Sequence, residues 1–92
     1  MASVKAPAGH FKLLYFAAAS TYTKRDAEAL AAPLRASELF DVLEKAYPGI
    51  RAQVLDSCAV TVNLQYVDLE DDAGLQIKEG DEVALIPPVS SG

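Results

Sequence analysis

The 92-residue sequence predicts an α+β domain in which one main helix packs on a mixed β-sheet. Two observations carry this prediction. A single apolar stripe with helical spacing lies at residues 36–47, and strand-like runs flank it at 10–17, 58–67 and 82–86. A chain of this length supports one hydrophobic core. We therefore expect a flexible N-terminus over 1–9, one domain over 10–86 and an extended tail over 87–92.

The first half of the chain predicts two strands and a connection. In residues 10–17 (HFKLLYFA) both alternating sets of side chains are mostly apolar, which favours a central strand covered on both faces. The polar stretch 20–26 (STYTKRD) predicts a connection. Residues 27–32 are assigned as a second strand, although their alanines favour helix.

Residues 36–47 (ASELFDVLEKAY) predict the main helix. Leu39, Val42, Leu43 and Ala46 are spaced so that they form one stripe, which we expect to face the sheet. Pro48-Gly49 ends the helix, because proline does not continue it and glycine accepts a left-handed backbone. A second short helix is possible over 50–55.

The second half predicts two further strands. Residues 58–67 (CAVTVNLQYV) are β-branched and alternating, which predicts one strand. An acidic turn over 68–74 and another turn over 77–81 lead to the closing strand at 82–86 (EVALI). That strand ends at Pro87-Pro88, because proline has no N–H to donate to a sheet.

Composition excludes several classes of function. Eight basic and thirteen acidic residues give a net charge of −5, which argues against nucleic acid and favours a basic protein partner. The apolar runs are too short to cross a membrane. One cysteine and no leader peptide indicate a reducing cytosol. Without a CxxC pair, a histidine cluster or a glycine-rich phosphate loop, we expect no metal and no bound cofactor.

A few polar residues have more than one interpretation. Cys58 is either a sulfur relay or a structural cysteine, and its alternating apolar surroundings favour the structural role. His10 has no partner motif and is interpreted as polar surface. The acidic run Asp68, Glu70, Asp71 and Asp72 lacks calcium-loop spacing, so a solvated face is favoured over a cation site.

The tail is the most informative segment. Pro87-Pro88 favours an extended backbone, and the six residues from Pro87 onward reach roughly 20 Å at about 3.3 Å each. Ser90 and Ser91 are small enough to pass through a narrow channel, so the tail can place the Gly92 carboxylate in the active site of another protein. An ordinary linker-like end is the alternative, since Ser-Ser-Gly is common in linkers.

Several segments together resemble a known family. They are the opening strand KLLYFA at 12–17, the helix at 39–47 followed by Pro48-Gly49, Val62-Asn63 in the third strand, Gly80 to Ala84, and Pro87-Pro88-Val89. This set resembles the ubiquitin-like sulfur carriers of the MoaD and ThiS type, and most of all the MoaD-type small subunits of molybdopterin synthase. The resemblance implies the β-grasp fold and a non-catalytic subunit that donates sulfur.

The resemblance also implies a reaction cycle and two partners. An ATP-dependent activating enzyme with sulfurtransferase activity adenylates Gly92 and converts its carboxylate to a thiocarboxylate. The tail, Pro87, Pro88, Val89, Ser90 and Ser91, then enters the large synthase subunit. There the thiocarboxylate gives its sulfur to cyclic pyranopterin monophosphate, which forms the dithiolene of molybdopterin. The expected assembly is a heterotetramer of two carriers on a central dimer.

Phe16, Tyr66 and Ile86 match positions where the family contacts the large subunit. Both an interface role and a core role remain open, because either use requires apolar side chains. Ser91 departs from the family, which usually ends in two glycines. Alternative functions are a carrier for tRNA thiolation or thiamin synthesis, a ubiquitin-like modifier, and a noncovalent β-grasp interaction domain.

Overall fold

A computed structural model describes residues 6–69 and 74–87. Seven strands are present in these ranges: β1 (His10–Tyr15), β2 (Ala27–Ala31), β3 (Leu34–Arg35), β4 (Ala59–Val62), β5 (Gln65–Val67), β6 (Gln76–Ile77) and β7 (Glu82–Ile86). The same ranges contain the helices α1 (Ala18–Thr23), α2 (Leu39–Ala46) and α3 (Ile50–Gln53). Short 3₁₀ turns lie at Ala36–Glu38 and Leu55–Ser57.

Five strands form one mixed sheet in the order β2-β1-β7-β4-β5. The strands β1 and β7 pair in parallel, with Leu13 opposite Val83, and the other neighbours in this sheet pair antiparallel. β3 and β6 form a separate two-stranded sheet. The prediction of a mixed sheet with one main helix is confirmed.

The core lies between the helices and one face of the sheet. Alternate residues of β1 (Phe11, Leu13 and Tyr15) are buried there together with Val83 and Leu85 of β7. The alternation places the other half of each strand on the outer face. From α2, Leu39 and Leu43 are completely buried in this core.

The predicted helical stripe is correct in its first part and wrong at its end. Leu39 and Leu43 are buried and Val42 is half-buried, but Ala46 is exposed. The buried line starts in the 3₁₀ turn at Ala36 and continues to Tyr47, which packs against the core. Because Tyr47 is larger and follows Leu43 by four residues, it takes the position that the stripe assigned to Ala46.

Residues 58–67 form a hairpin, and the prediction of one strand is wrong. β4 turns at Asn63 and Leu64 into β5, with Val62 opposite Gln65. Asn63 and Leu64 have φ values of 51° and 71°. Positive φ at both central residues is typical of the two-residue turns that match the twist of antiparallel strands. Asn63 therefore lies in the turn and not in a strand.

Other boundaries also differ from the sequence predictions. The connection at 20–26 contains the end of α1, which ends at Thr23 and is followed by Lys24 in a left-handed backbone with φ 61°. Ile77 lies in β6 and is completely buried, so the turn begins after it. The alanine-rich strand is confirmed as β2, since its pairing with β1 outweighs the helical preference of alanine.

Candidate functional site

The outer face of the five-stranded sheet carries an apolar groove of about 290 Å³. Phe16, Tyr66 and Ile86 all line it. Phe16 is 47% exposed, Tyr66 is 73% exposed, and Ile86 is half-buried. The structure thus places three residues that are distant in sequence on one surface, and it excludes a core role for Phe16 and Tyr66. Their contact with a partner stays a prediction.

Neighbouring strands build the groove from small residues in the middle and large ones around them. On β7, Ala84 lies opposite Leu14 of β1 on one side and Thr61 of β4 on the other. Ala84 and Thr61 are 8% and 5% exposed and form the floor. Because Ala84 has only a methyl group, the larger side chains at its sides rise above it and leave a concave surface.

This open face corrects the expectation that the first strand is covered on both faces. Leu14 is half-buried, and Phe16, which directly follows β1, lies largely open. Exposed apolar faces are typical of surfaces that bind another molecule.

Leu64 is a groove residue that the sequence analysis missed. It lies in the β4–β5 turn, is 87% exposed and lines the groove together with Tyr66. Asn63, a residue type common in turns, is the one signal of a turn that the sequence offered, and the leucine after it fits a strand better than a turn.

Hydrogen bonds hold the hairpin turn against the start of β7. The backbone N–H of Asn63 donates to the carbonyl oxygen of Glu82 at 2.7 Å, and the N–H of Glu82 donates to Oδ1 of Asn63 at 3.0 Å. Nδ2 of Asn63 donates to Oδ1 of Asp81 at 3.2 Å. The Asn63 side chain thus replaces strand pairing at the point where the hairpin turns.

The tail begins at the other end of the groove. β7 ends at Ile86, which lies opposite Ala59 of β4, and Pro87 follows it. Pro88, Val89, Ser90, Ser91 and Gly92 lie outside the described residues. A segment that continues from Pro87 starts beside the groove, on a strand that is third of five in the sheet.

A hydrogen-bonded pair of tyrosines lies beneath the strand end that leads to Phe16. The hydroxyl groups of Tyr15 and Tyr47 both donate to Oε1 of Glu28, at 2.7 and 2.8 Å. The two rings meet edge to face with centroids 6.4 Å apart. Burial, and then the Glu28 carboxylate, raises the pKa of Tyr15, and the same causes raise the pKa of Tyr47. Both tyrosines therefore stay neutral donors that tie β1, β2 and the end of α2 together.

Cys58 is half-buried just before β4. Burial raises the pKa of its thiol, so the reactive thiolate fraction at neutral pH is lower than for an exposed cysteine. This environment agrees with the structural role favoured from the sequence. His10 begins β1, and its Nδ1 lies 2.9 Å from the carbonyl oxygen of Ala8.

The described residues offer neither a metal site nor a membrane-spanning helix. Residues 6–69 and 74–87 contain no group of three or more His, Cys, Asp or Glu side chains that could hold a metal ion. Asp68 is exposed, while Glu70, Asp71 and Asp72 lie outside these ranges. No helix in the described part of the chain is long and apolar enough to cross a membrane.

Comparison with solved structures confirms the β-grasp fold. Small archaeal modifier protein 1 of Haloferax volcanii matches with a TM-score of 0.71 and 22% identity, over 88% of this chain and 99% of that one. A second match is in the complex of subunits 1 and 2 of the molybdopterin-converting factor from Helicobacter pylori. It has a TM-score of 0.63 and 25% identity, over 88% of this chain and 96% of that one.

Comparison with sequences shows the family. The model of the ThiS family matches residues 13–92. The molybdopterin synthase sulfur carrier subunit of Pyrenophora tritici-repentis is 67% identical over 93 residues, which cover 100% of both chains. The family match over residues 13–92 and the identity with this relative show that the chain belongs to the ThiS family and, within it, to the molybdopterin synthase sulfur carrier subunits.

Proposed function

We propose that this chain carries sulfur on the carboxyl group of Gly92 and delivers it to the large subunit of a molybdopterin synthase. The observation that carries the proposal is the apolar groove beside the strand that leads into the tail. A protein that docks in the groove receives the tail next to its contact surface. The 67% identity with a named sulfur carrier subunit supports the same role.

The chemistry follows from the weak reactivity of a carboxylate. A Gly92 carboxylate oxygen attacks the α-phosphorus of ATP and releases pyrophosphate, which leaves a mixed anhydride with AMP. A persulfide of the activating system then attacks the carbonyl carbon and displaces AMP, which leaves an acyl disulfide. A second thiol attacks the outer sulfur of that S–S bond, so that a disulfide forms on the activating system and the thiocarboxylate is released. The resulting thiocarboxylate is ionised at neutral pH, and its sulfur is a better nucleophile than the original oxygen.

The pterin is the proposed sulfur acceptor. The thiocarboxylate sulfur forms a C–S bond to cyclic pyranopterin monophosphate as a C–O bond of the pterin breaks, and water then cleaves the acyl–sulfur bond and returns the Gly92 carboxylate. Two such transfers complete the dithiolene, with one oxygen leaving as the cyclic phosphate opens and the other leaving as water. The partner supplies the cationic groups that bind the anionic pterin, because the reaction takes place in the partner's site and developing charge must be stabilised there. This chain needs no resident cofactor for its part.

The large subunit is the proposed partner in the groove. The solved Helicobacter pylori structure is a complex of the two subunits of its converting factor, and its carrier-like chain shares this fold. The net charge of −5 favours encounter with a basic surface. We place this association in the cytosol, as two carriers on a central dimer.

The test is intact mass after incubation with ATP, the activating enzyme and a sulfur donor. Replacement of one oxygen by sulfur at Gly92 is the expected result, and deletion of Gly92 abolishes both this mass shift and dithiolene formation. Ser91→Gly retains or raises transfer, because glycine reaches positive φ without a steric cost.

Cys58→Ser is the control for the site of sulfur attachment, since Cys58 lies half-buried in the domain. This variant retains transfer if the sulfur is carried on Gly92. Loss of transfer in Cys58→Ser together with transfer by the Gly92 deletion contradicts the proposal. Conjugation of the chain to lysines, without dithiolene formation, indicates a modifier instead.

A further inference from the structure

We propose that Leu64 is a preformed apolar anchor that contacts the large synthase subunit and fixes the direction in which the tail enters it. The inference rests on the proposed function for its partner. It adds a specificity-determining residue at the end of the groove farthest from the tail.

The backbone at Leu64 is unfavourable for leucine. Its φ of 71° lies in the left-handed region, where the Cβ of an ordinary side chain approaches the following carbonyl oxygen. Glycine is the usual residue at the second position of such a turn. Leu64 gains little from its own domain in return, since it is 87% exposed. A strained and exposed apolar residue suggests a contact made outside the chain.

The turn that presents Leu64 is held in place. Asn63 exchanges backbone and side-chain hydrogen bonds with Glu82 and donates a further one to Asp81. These bonds attach the turn to β7, the strand that leads into the tail. Leu64 and the start of the tail are therefore fixed relative to each other by one strand. A rigid anchor loses less conformational entropy on binding than a mobile one.

Geometry favours the large subunit as the occupant. The tail residues 88–92 reach roughly 17 Å beyond Pro87 at about 3.3 Å each, so a protein that takes up the terminal carboxyl must lie against this end of the sheet. Ala59 and Val62 lie three residues apart on β4, about 10 Å at 3.3 Å per residue. A standard interface buries about 800 Å² per partner, roughly 30 Å across, and covers both ends of the groove.

The experiment measures binding of the unmodified full chain to the purified large subunit by calorimetry, with no sulfur chemistry. Leu64→Gly and Leu64→Asn both suit a left-handed backbone and remove the apolar side chain. We expect each to raise Kd about tenfold or more. We expect each to shift the melting temperature by less than about 5 °C, because the turn itself is retained.

Lys24→Gly is the matched control. Lys24 is also exposed and left-handed, with φ 61°, but it does not line the groove. Its replacement tests the effect of glycine at a left-handed position. We expect Kd to stay within about twofold of wild type, a change of about 0.4 kcal/mol or less in binding free energy.

The outcomes separate this inference from the proposed function. Absence of binding by the wild-type chain contradicts the proposed function. Wild-type binding with unchanged Kd in both Leu64 variants overturns the anchor. Weaker binding of the Leu64 variants to the activating enzyme alone, with normal binding to the large subunit, overturns the choice of occupant.

Discussion

Replacement of Tyr66 tests how much of the groove a partner covers. A tyrosine side chain buries on the order of 150–250 Å² when it is fully enclosed. Tyr66 is 73% exposed in this structure. Contact with a partner can therefore remove roughly 110–180 Å² more from water, about 3–4.5 kcal/mol at 25 cal/mol per Å².

Only part of that free energy appears in binding. Association also costs side-chain and rigid-body entropy, and contact with a partner leaves some of the ring exposed. We therefore expect Tyr66→Ala to weaken binding to the large subunit by about 2 kcal/mol, about thirtyfold in Kd. Tyr66→Asp weakens it further, because a carboxylate replaces an apolar group in a contact that excludes water.

The exposed fractions also predict an order. Phe16 is 47% exposed and Tyr66 is 73% exposed, so a partner can remove less of the Phe16 side chain from water. We therefore expect Phe16→Ala to weaken binding less than Tyr66→Ala does. Tyr22→Phe is the control, because Tyr22 lies outside the groove and its hydroxyl donates to the carbonyl oxygen of Pro48. Calorimetric titration measures all four variants. Wild-type affinity in Tyr66→Ala and Tyr66→Asp, with both proteins folded, refutes the assignment of the groove as the interface.

Two further predictions concern stability. Leu43→Ala lowers the free energy of unfolding, measured by urea denaturation, by about 2–5 kcal/mol, because Leu43 is completely buried. Ala46→Ser changes it by less than about 0.5 kcal/mol, because Ala46 is exposed. Equal effects of the two substitutions would contradict the buried face assigned to α2. Backbone N–H groups of Gly49 and then Arg51 lower the pKa of Glu44 from its ordinary 4.5. Its stabilising effect is therefore present above pH 4.5 and lost as the pH falls through the lower folded value. Acid unfolding of the wild type and of Glu44→Gln is followed by circular dichroism. We expect the wild type to be the more stable of the two at neutral pH and this difference to disappear at low pH. An equal dependence of stability on pH in both proteins would contradict a stabilising role for the Glu44 carboxylate.

The sequence predicted the elements whose patterns are local. The spacing of Leu39 and Leu43 identified buried residues, because burial on one face of a helix repeats with its period. The apolar run at 10–17 predicted the strand β1 but not which of its two faces is covered. The hairpin was missed because alternation continues through Asn63 and Leu64 without a glycine. The end of the stripe was missed because spacing alone does not say whether Ala46 or Tyr47 packs inward.

The groove was less accessible to sequence reasoning than the core. Phe16, Tyr66 and Ile86 come together only because β7 inserts between β1 and β4, which is a long-range pairing that no local period reveals. The family resemblance identified these three positions as possible interface residues. It did not identify Leu64, whose unusual feature is a backbone angle.

The strand order determines how firmly the domain holds the strand that leads into the tail. β7 is paired on both sides, with β1 and with β4, over most of its length. A centrally paired strand opens only when much of the sheet opens, so its end has little freedom of movement. Pairing on both sides therefore holds Ile86, the last residue of β7, in place beside the groove. A tail on an edge strand such as β5 would share the fraying of that edge, and docking the groove would then determine the position of the carboxyl group less well.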